Sequence, residues 1–274
     1  MLNVIFIHRK DPMNTGDIMS CPANLMENNL NLKIYDILDP DIINICKDKN
    51  IILGGGGLIS PFFLPALNKI IENSKNIFSW GIGINTPTIK NLNSDIRGLE
   101  IPYSDIKKLV STFKISSLRD NCNINGSLHV PCVSCMHPAF LNPEFEKIIH
   151  KITIFNHRRL EIFNHNNLPS LTNMASFTEI IKFLKSSKII ITSSYHGAYW
   201  GLLLGREVWT IPWSAKFLNI DKNINIIEYS QINNITFKNY LDVNRSFYNQ
   251  CRLKNLQFVE ILKKYVEIPN LKIF

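Results

Sequence analysis

The clearest chemical signal in the chain is a histidine between a predicted strand and a predicted helix. Residues 193–197 read SSYHG, and β-branched residues at 189–192 precede them. Such a run is typical of a strand, and Gly197 is expected to open a helix. His196 at that helix start could donate a proton or bind an anion, with Ser194 beside it. A capped helix with an incidental histidine explains the same pattern, and the sequence leaves both interpretations open.

Two basic residues also follow predicted strands. Arg119 lies in the run SLRD at 117–120, where a guanidinium could bind a carboxylate or a phosphate through two parallel hydrogen bonds. A local ion pair with Asp120 is the alternative. Lys216 ends the run IPWSAK at 211–216 and is expected beside the same cleft, although a single lysine is normally solvated surface. Ligands of open α/β sheets bind at the carboxyl ends of strands, so these positions favour a ligand site.

Glycine-rich turns follow the first and third predicted strands. Residues 14–17 (NTGD) open the first predicted helix, where Gly16 allows a tight turn and Asp17 could cap the helix. An anion or a sugar hydroxyl could bind there, and a simple capped turn is equally compatible. Four glycines at 54–57 predict close backbone approach to a ligand or a purely structural turn. Neither a P-loop nor a dinucleotide fingerprint matches their spacing, so we exclude both.

Short apolar runs alternate with helical patterns, which is typical of βαβ units on a parallel sheet. Strands are predicted at 2–8, 32–37, 51–53, 76–80, 114–118, 151–155, 188–192, 208–211 and 224–227. Helices are predicted at 17–28, 62–73, 104–112, 176–187, 197–204 and 250–266. Ser176 and Glu179 have the spacing of a capping box at the start of one of these helices.

A break in the alternation divides the chain. Residues 121–145 contain three prolines and little periodicity, so we predict a domain boundary within them. The expected domains are residues 1–128 and 129–274. The fold class is expected to be α/β, with two mainly parallel sheets that face a cleft and a last helix that crosses the interface.

Composition restricts the classes of function. The formal net charge is +8, and the basic residues are dispersed along the chain. Nucleic-acid binders usually cluster their charge on one face, so we predict no nucleic-acid partner. A membrane surface or a small anionic substrate could each explain the basic balance. No apolar run reaches the ~18 residues that a membrane span needs. The apolar start precedes its basic residues, unlike a signal peptide, and a cytoplasmic protein is expected.

Two patterns raise the question of a metal. Cys132 and Cys135, with His129 and His137 nearby, could form half of a zinc site. There is no second C-x-x-C, and without an export signal reduced thiols are expected. Residues 39–41 (DPD) have a D-x-D spacing that some sugar transferases use for a divalent metal, but the proline fixes a turn there. We predict no metal site.

Taken in order, these motifs resemble those of the polysaccharide pyruvyl transferase family. The family patterns N-x-G-D, a glycine-rich segment, G-x-G, S-x-R-D and S-R-L-H-G are similar to residues 14–17, 52–59, 80–83, 117–120 and 193–197. Lys216 lies near the position of a downstream family lysine. Ser194 stands in place of the family arginine, and Arg158 or Arg159 could supply the missing charge. At 137–138, His-Pro stands in place of the family Asp-Pro.

The resemblance implies two Rossmann-like domains of the GT-B kind. It also implies transfer of pyruvate from phosphoenolpyruvate onto a sugar diol as a ketal, in cell-surface polysaccharide biosynthesis, with no cofactor. Arg119, His196 and Lys216 are then expected to bind the donor and to be catalytic, with His196 as the general acid. Ser194 and Gly197 are also assigned to the donor site. The residues assigned to the acceptor, in the first domain, are Asn14, Gly16, Asp17, Gly55 and Gly56.

Two other functions stay open at this stage. A nucleotide-sugar glycosyltransferase could share the fold, with Glu207 as the acid that holds a ribose diol. A non-catalytic glycan-binding protein is the second alternative. The acceptor could be a free sugar or a lipid-linked oligosaccharide, which leaves open a peripheral association with the inner face of the membrane. The oligomeric state is not predicted.

Overall fold

The computed structural model describes residues 4–26, 31–86, 101–122, 124–142, 147–162, 167–217, 220, 224–228 and 245–268. These residues form an α/β structure with mainly parallel sheets. The strands are β1 (Val4–His8), β2 (Ile34–Asp36), β3 (Asn50–Gly54), β4 (Asn76–Trp80), β5 (Ser117–Leu118), β6 (Leu128–His129), β7 (His150–Asn156), β8 (Ser170–Thr172), β9 (Ser187–Thr192), β10 (Glu207–Thr210) and β11 (Asn225–Ile226). The α-helices are α1 (Thr15–Met19), α2 (Ile42–Cys46), α3 (Leu64–Asn73), α4 (Tyr103–Ser111), α5 (Phe177–Lys185), α6 (Tyr195–Leu203) and α7 (Ser246–Leu262).

The first sheet has the order β2-β1-β3-β4, and all of its pairs are parallel. Isolated parallel bridges join Phe78 to Ile115 and Ile82 to Leu118, which places β5 beside β4. Strand β5 pairs in turn with β6. All five residues of β1, VIFIH, are buried. This is the continuous apolar pattern expected of a parallel strand that is covered on both faces.

The second sheet repeats this strand order. It runs β8-β7-β9-β10-β11, again with every pair parallel. Counted within each half, both sheets have the order 2-1-3-4, and the fifth strand follows. The direction of winding therefore reverses between β1 and β3 and between β7 and β9. In open α/β sheets, such switch points open a crevice at the carboxyl ends of the strands, where ligands bind.

One hydrophobic core lies between the two sheets. It contains Phe6 and Trp80 from the first sheet and Phe155 and Ile190 from the second. Helix α7 contacts both halves, because it packs against α6 while its Asn255 Oδ1 accepts a hydrogen bond from Trp80 Nε1 at 2.8 Å. Separate clusters cover the opposite faces of the two sheets. This packing fixes how the loops at the carboxyl ends of the strands meet.

The predicted α/β class with mainly parallel sheets is confirmed, and so is the capping box. Ser176 Oγ accepts from the Glu179 backbone N–H, and the Glu179 carboxylate accepts from the Ser176 N–H. Strand β4 coincides with its predicted range, and the other predicted strands lie within a few residues of the observed ones, whereas β6 and β8 had no predicted range. Residues 2–3 of the first predicted strand lie outside the described residues.

Other boundaries were wrong or missed. The helix predicted at 17–28 is shorter, because α1 ends at Met19 and a 3-10 turn, Pro22–Leu25, follows. Proline lacks the N–H that would continue the helix. Helix α2 and strand β8 were not predicted, since elements of five and three residues hold too little periodicity. The domain boundary within residues 121–145 stays a prediction. The described part of that segment includes two 3-10 helices with buried side chains, Val133–Met136 and Pro138–Phe140.

Candidate active site

A pocket of about 230 Å³ lies where the carboxyl ends of the strands of both sheets meet. Six of the ten site residues named from the sequence line it: Asn14, Asp17, Arg119, Ser194, His196 and Lys216. The remaining four, all glycines, lie around it without lining it: Gly16, Gly55, Gly56 and Gly197. The lining carries a positive excess, because five basic side chains (Arg9, Arg119, Arg158, Arg159, Lys216) face two acidic ones (Asp11, Asp17).

The turn after β1 forms one wall of the pocket. Asn14 Nδ2 donates to Asp17 Oδ2 at 2.8 Å, and Asn14 Oδ1 accepts from Asn173 Nδ2 in the other half at 2.9 Å. The expectation that Asp17 caps the helix is wrong. Asn14 occupies the N-cap position and Asp17 lies in the first turn. Burial raises the pKa of Asp17 to about 6, against the opposing charges of Lys216 and Arg119.

The glycine loop after β3 is shaped by contacts with neighbouring parts of the chain. Gly55 and Gly56 have φ values of 67° and 73°, which favour glycine, and a Cβ at Gly55 would overlap the Ser20 carbonyl oxygen. A hydrogen bond from the Gly83 N–H to the Gly56 carbonyl, at 2.8 Å, holds the loop in place. A structural turn therefore accounts for Gly55. The pocket is lined by the next glycine, Gly57, which the assignment from sequence omitted.

Arg119 follows β5 and is almost completely buried, at 4% exposure. Its guanidinium lies 3.8 Å from the centroid of the Tyr195 ring, and Gly83 leaves the room that the guanidinium needs. The alternative of a local ion pair with Asp120 is not realised, since the Asp120 carboxylate accepts from the Ile84 N–H at 2.7 Å. Within the described residues, Arg119 has no acidic partner within 4 Å.

His196 is the second residue of α6, and Ser194 caps that helix by accepting from the Gly197 N–H at 3.4 Å. A Cβ at Gly197 would overlap Phe155, so this glycine is needed for packing against β7. The SSYHG run therefore forms a capped helix start and places the histidine in the pocket, while proton donation or anion binding by His196 stays a prediction. Burial lowers the pKa of His196 well below its usual range, and the charges of Arg119 and Lys216 lower it further.

Lys216 is buried rather than solvated. It lies in the 3-10 turn Ala215–Phe217 at 7% exposure, with its amine 3.8 Å from the centroid of the Trp213 ring. The Ala215 N–H donates to the Thr86 carbonyl at 2.7 Å, which ties this turn to the first half of the chain. Burial lowers the pKa of Lys216 to about 7; Arg119 and Arg159 lower it and Asp17 opposes them.

Arg158 and Arg159, proposed as substitutes for the family arginine at Ser194, both line the pocket. Arg158 forms an ion pair with Asp11 at 2.6 Å, which joins the loop after β7 to the loop after β1. The sequence missed Asp11 and Arg9, although both follow β1 directly. Arg9 pairs with Asp36 at the end of β2. Their position after a predicted strand was the signal that could have identified them.

Comparison with known proteins establishes the fold and nothing finer. No protein-family model and no curated protein matches the chain. Among solved structures, the chain is similar to a functionally uncharacterised protein from Klebsiella pneumoniae, with a TM-score of 0.53 and 16% sequence identity. The match covers 82% of this chain and 93% of the other. At this identity the likeness concerns the fold alone.

The described residues contain no group of three or more His, Cys, Asp or Glu side chains that could hold a metal. The two cysteines of the C-x-x-C segment contact different residues. Cys132 contacts His196, whereas Cys135 accepts from Asn255 at 3.4 Å. His129 lies 2.8 Å from the Lys254 amine, and His137 accepts from the Ala139 N–H. All six cysteines are free thiols.

Among the described helices, none has both the length and the apolar character needed to cross a membrane.

The D-x-D run at 39–41 lies away from the pocket. Asp39 and Asp41 belong to a turn before α2, in which Asp39 Oδ1 accepts from the Asp41 N–H at 3.0 Å. Neither residue lines the pocket.

Proposed function

We propose that this protein is a pyruvyl transferase that moves pyruvate from phosphoenolpyruvate onto a sugar diol. One observation carries the proposal. Arg119 and Lys216 are buried in the same pocket as His196, and neither has an acidic partner within 4 Å among the described residues. A buried charge without a partner is costly, so a site of this kind favours an anionic ligand.

The two cations suit the two anionic groups of phosphoenolpyruvate. The guanidinium of Arg119 can bind a carboxylate or phosphate through two parallel hydrogen bonds, and the Lys216 amine acts as a point charge. Arg158 and Arg159 also line the pocket, with Arg158 paired to Asp11. An anion in the pocket also raises the pKa of His196, which burial and the neighbouring cations otherwise depress.

The reaction needs proton transfer but no redox step. One sugar hydroxyl adds to C2 of the enol while C3 receives a proton, and the C2–O bond to phosphate then breaks with its electron pair leaving on phosphate. The second hydroxyl closes the ketal at C2. Two hydroxyl protons are released, of which one balances the proton given to C3 and the other leaves with phosphate. His196 supplies the proton to C3 as general acid.

The proposal includes a GT-B arrangement with Rossmann-like domains at 1–128 and 129–274. Support comes from the matching strand order of the two sheets and from a pocket between their switch points. The donor lies on the side of His196 and Lys216, with Arg119 reaching across. The acceptor lies on the side of Asn14, Asp17 and the glycine loop, and its class is a sugar or lipid-linked oligosaccharide of a cell-surface polysaccharide.

No specific observation favours the nucleotide-sugar glycosyltransferase. Its candidate ribose ligand, Glu207, is the first residue of β10 and accepts from Trp209 Nε1 at 2.8 Å. The amino end of a parallel strand lies at the edge of the sheet opposite to the pocket. A non-catalytic glycan-binding protein differs from the proposal only in lacking turnover.

A two-step experiment tests the proposal. Thermal unfolding is first followed with phosphoenolpyruvate, pyruvate, inorganic phosphate and the uridine, guanosine and cytidine nucleotide sugars. We expect phosphoenolpyruvate to raise Tm the most. Phosphate release is then measured with phosphoenolpyruvate and a panel of p-nitrophenyl glycosides, and the product is checked by mass for a pyruvate ketal. Stabilisation by a nucleotide sugar alone would replace this proposal with the glycosyltransferase.

A further inference from the structure

Behind His196 lies a row of buried polar groups that the proposed reaction does not use. Trp200 Nε1 donates to Ser134 Oγ at 3.0 Å. Ser134 Oγ lies 3.3 Å from Cys132 Sγ, and Cys132 Sγ lies 3.6 Å from Nε2 of His196. All four residues are buried, at 5% exposure or less. Cys132 is the first cysteine of the C-x-x-C segment. Its contact with His196 joins residues that are 64 positions apart in the sequence.

The direction of the hydrogen bonds in this row is set at its far end. An indole N–H can only donate, so Ser134 Oγ accepts from Trp200. The hydroxyl hydrogen of Ser134 is then free for the sulfur of Cys132. In the reverse direction the thiol would donate to Ser134, and among the described residues Ser134 Oγ contacts no further acceptor for its own hydrogen. Buried donors are almost always satisfied, which favours the first direction.

The Cys132 thiol can donate the last hydrogen bond of this row, to His196, because it keeps its proton. Burial raises the pKa of Cys132 above its usual range. With its sulfur accepting from Ser134, its S–H points to Nε2 of His196, which must then be the unprotonated ring nitrogen. The other nitrogen, Nδ1, lies against the backbone of Gly16 and has no hydrogen-bond partner in the described part of the chain.

We propose that Trp200, Ser134 and Cys132 fix neutral His196 as the Nδ1–H tautomer, so that the resting ring carries its proton on the side of Gly16 and not on the side of Cys132. These three are positioning residues, since they act through the ring. Free histidine prefers the opposite, Nε2–H tautomer. The structure thus holds His196 in the form that it would otherwise adopt less often.

The tautomer is inferred from the contacts around Cys132, whereas its role in the reaction rests on the proposed function. An Nδ1–H can donate a hydrogen bond, but it cannot accept a proton from the acceptor hydroxyl. Asp17, a carboxylate that lines the same pocket, is left for that step.

Nuclear magnetic resonance of the ligand-free protein tests this directly. Long-range ¹H–¹⁵N correlation of protein labelled at its seven histidines distinguishes protonated from unprotonated ring nitrogens. The loss of one pattern in His196→Asn assigns the signal. At pH 7 we expect Nδ1 to be protonated and Nε2 unprotonated. A wild-type ring with the proton on Nε2 would overturn the proposal, and this result needs no variant.

Variants then test the source of the preference. Cys132→Ala removes the donor, so the majority tautomer should change to Nε2–H, whereas Cys132→Ser keeps an O–H donor and should retain Nδ1–H. Cys46→Ala is the matched control, because Cys46 is an equally buried thiol in the other half that does not line the pocket. An unchanged tautomer in Cys132→Ala would exclude the cysteine as its cause. The readout needs no substrate, so its outcome is independent of whether phosphoenolpyruvate is the donor.

Discussion

The imidazole ring of His196 lies directly against the backbone of Gly16, so that a Cβ at position 16 would overlap the ring. The two residues lie in the first turns of α1 and α6, the helices that follow β1 and β9, one in each half of the chain. The absence of a side chain at position 16 is therefore what lets the histidine reach the wall that also carries Asn14 and Asp17. This explains the glycine of the N-x-G-D run by packing and not by turn geometry.

Gly16→Ala should displace His196. Overpacking of a filled site typically costs about 1–3 kcal/mol, and we expect a lower Tm together with a large loss of turnover. Gly126→Ala is the control, since a Cβ there meets no atom within 4 Å, although its φ of 70° strains any other residue. That variant should lose some stability and keep the turnover of its folded fraction. Wild-type Tm and turnover in Gly16→Ala would show that the ring is not held against this backbone.

Arg119→Ala should remove most of the stabilisation by phosphoenolpyruvate. A ligand at 100 times its Kd adds about 2.7 kcal/mol to the free energy of unfolding, so the effect on Tm is measurable. Added salt should reduce the wild-type shift, because the contact is ionic. Lys151→Ala, which removes an exposed positive charge near the amino end of β7, is the matched control and should behave as wild type. An undiminished shift in Arg119→Ala would place the donor elsewhere.

His196→Asn should separate binding from chemistry. Asparagine can donate a hydrogen bond but cannot deliver a proton, so donor affinity should largely persist while turnover falls by ~100- to 10,000-fold, the usual contribution of general acid catalysis. Calorimetry with phosphoenolpyruvate and a phosphate-release assay measure the two quantities. His150→Asn, at the far end of β7, is the control. If turnover stays within a few-fold of wild type, the general acid is another group.

Lys216→Met should change how stability depends on pH. The folded pKa is about 7 and the reference value is 10.5, so between these values the unfolded chain holds a proton that the folded protein lacks. Stability from this group therefore rises with pH across that window. The variant should exceed wild type by a few kcal/mol at pH 6–7, at about 1.4 kcal/mol per pKa unit, and the difference should shrink towards pH 10.

The measurement for this prediction is the difference in Tm between Lys216→Met and wild type over pH 6–10. Lys182→Met, at an exposed position of α5, controls for the general effect of losing a lysine. A difference that does not vary with pH would mean that the amine is solvated in the folded protein.

The sequence alone indicated which candidate residues follow strands. His196 and Lys216 follow neighbouring strands of one parallel sheet, whose strands end at the same edge, so local patterns imply a common location for these two. Arg119 follows β5, which lies beside the other sheet. Alternating apolar runs and capping residues are set by neighbouring side chains, which is why the α/β class and the capping box at Ser176 could be predicted. Short elements such as α2 and β8 lack such a repeat and were missed.

Only the tertiary structure decided what these residues contact. Whether Arg119 pairs with Asp120 or stacks on Tyr195, and whether Lys216 is solvated or buried, depends on how the two sheets pack. The contact of Cys132 with His196 joins residues 64 positions apart, and that of Gly16 with His196 joins the two halves of the chain. The free energies of such contacts come from burial and close packing between distant segments, and no local pattern of residue types records them.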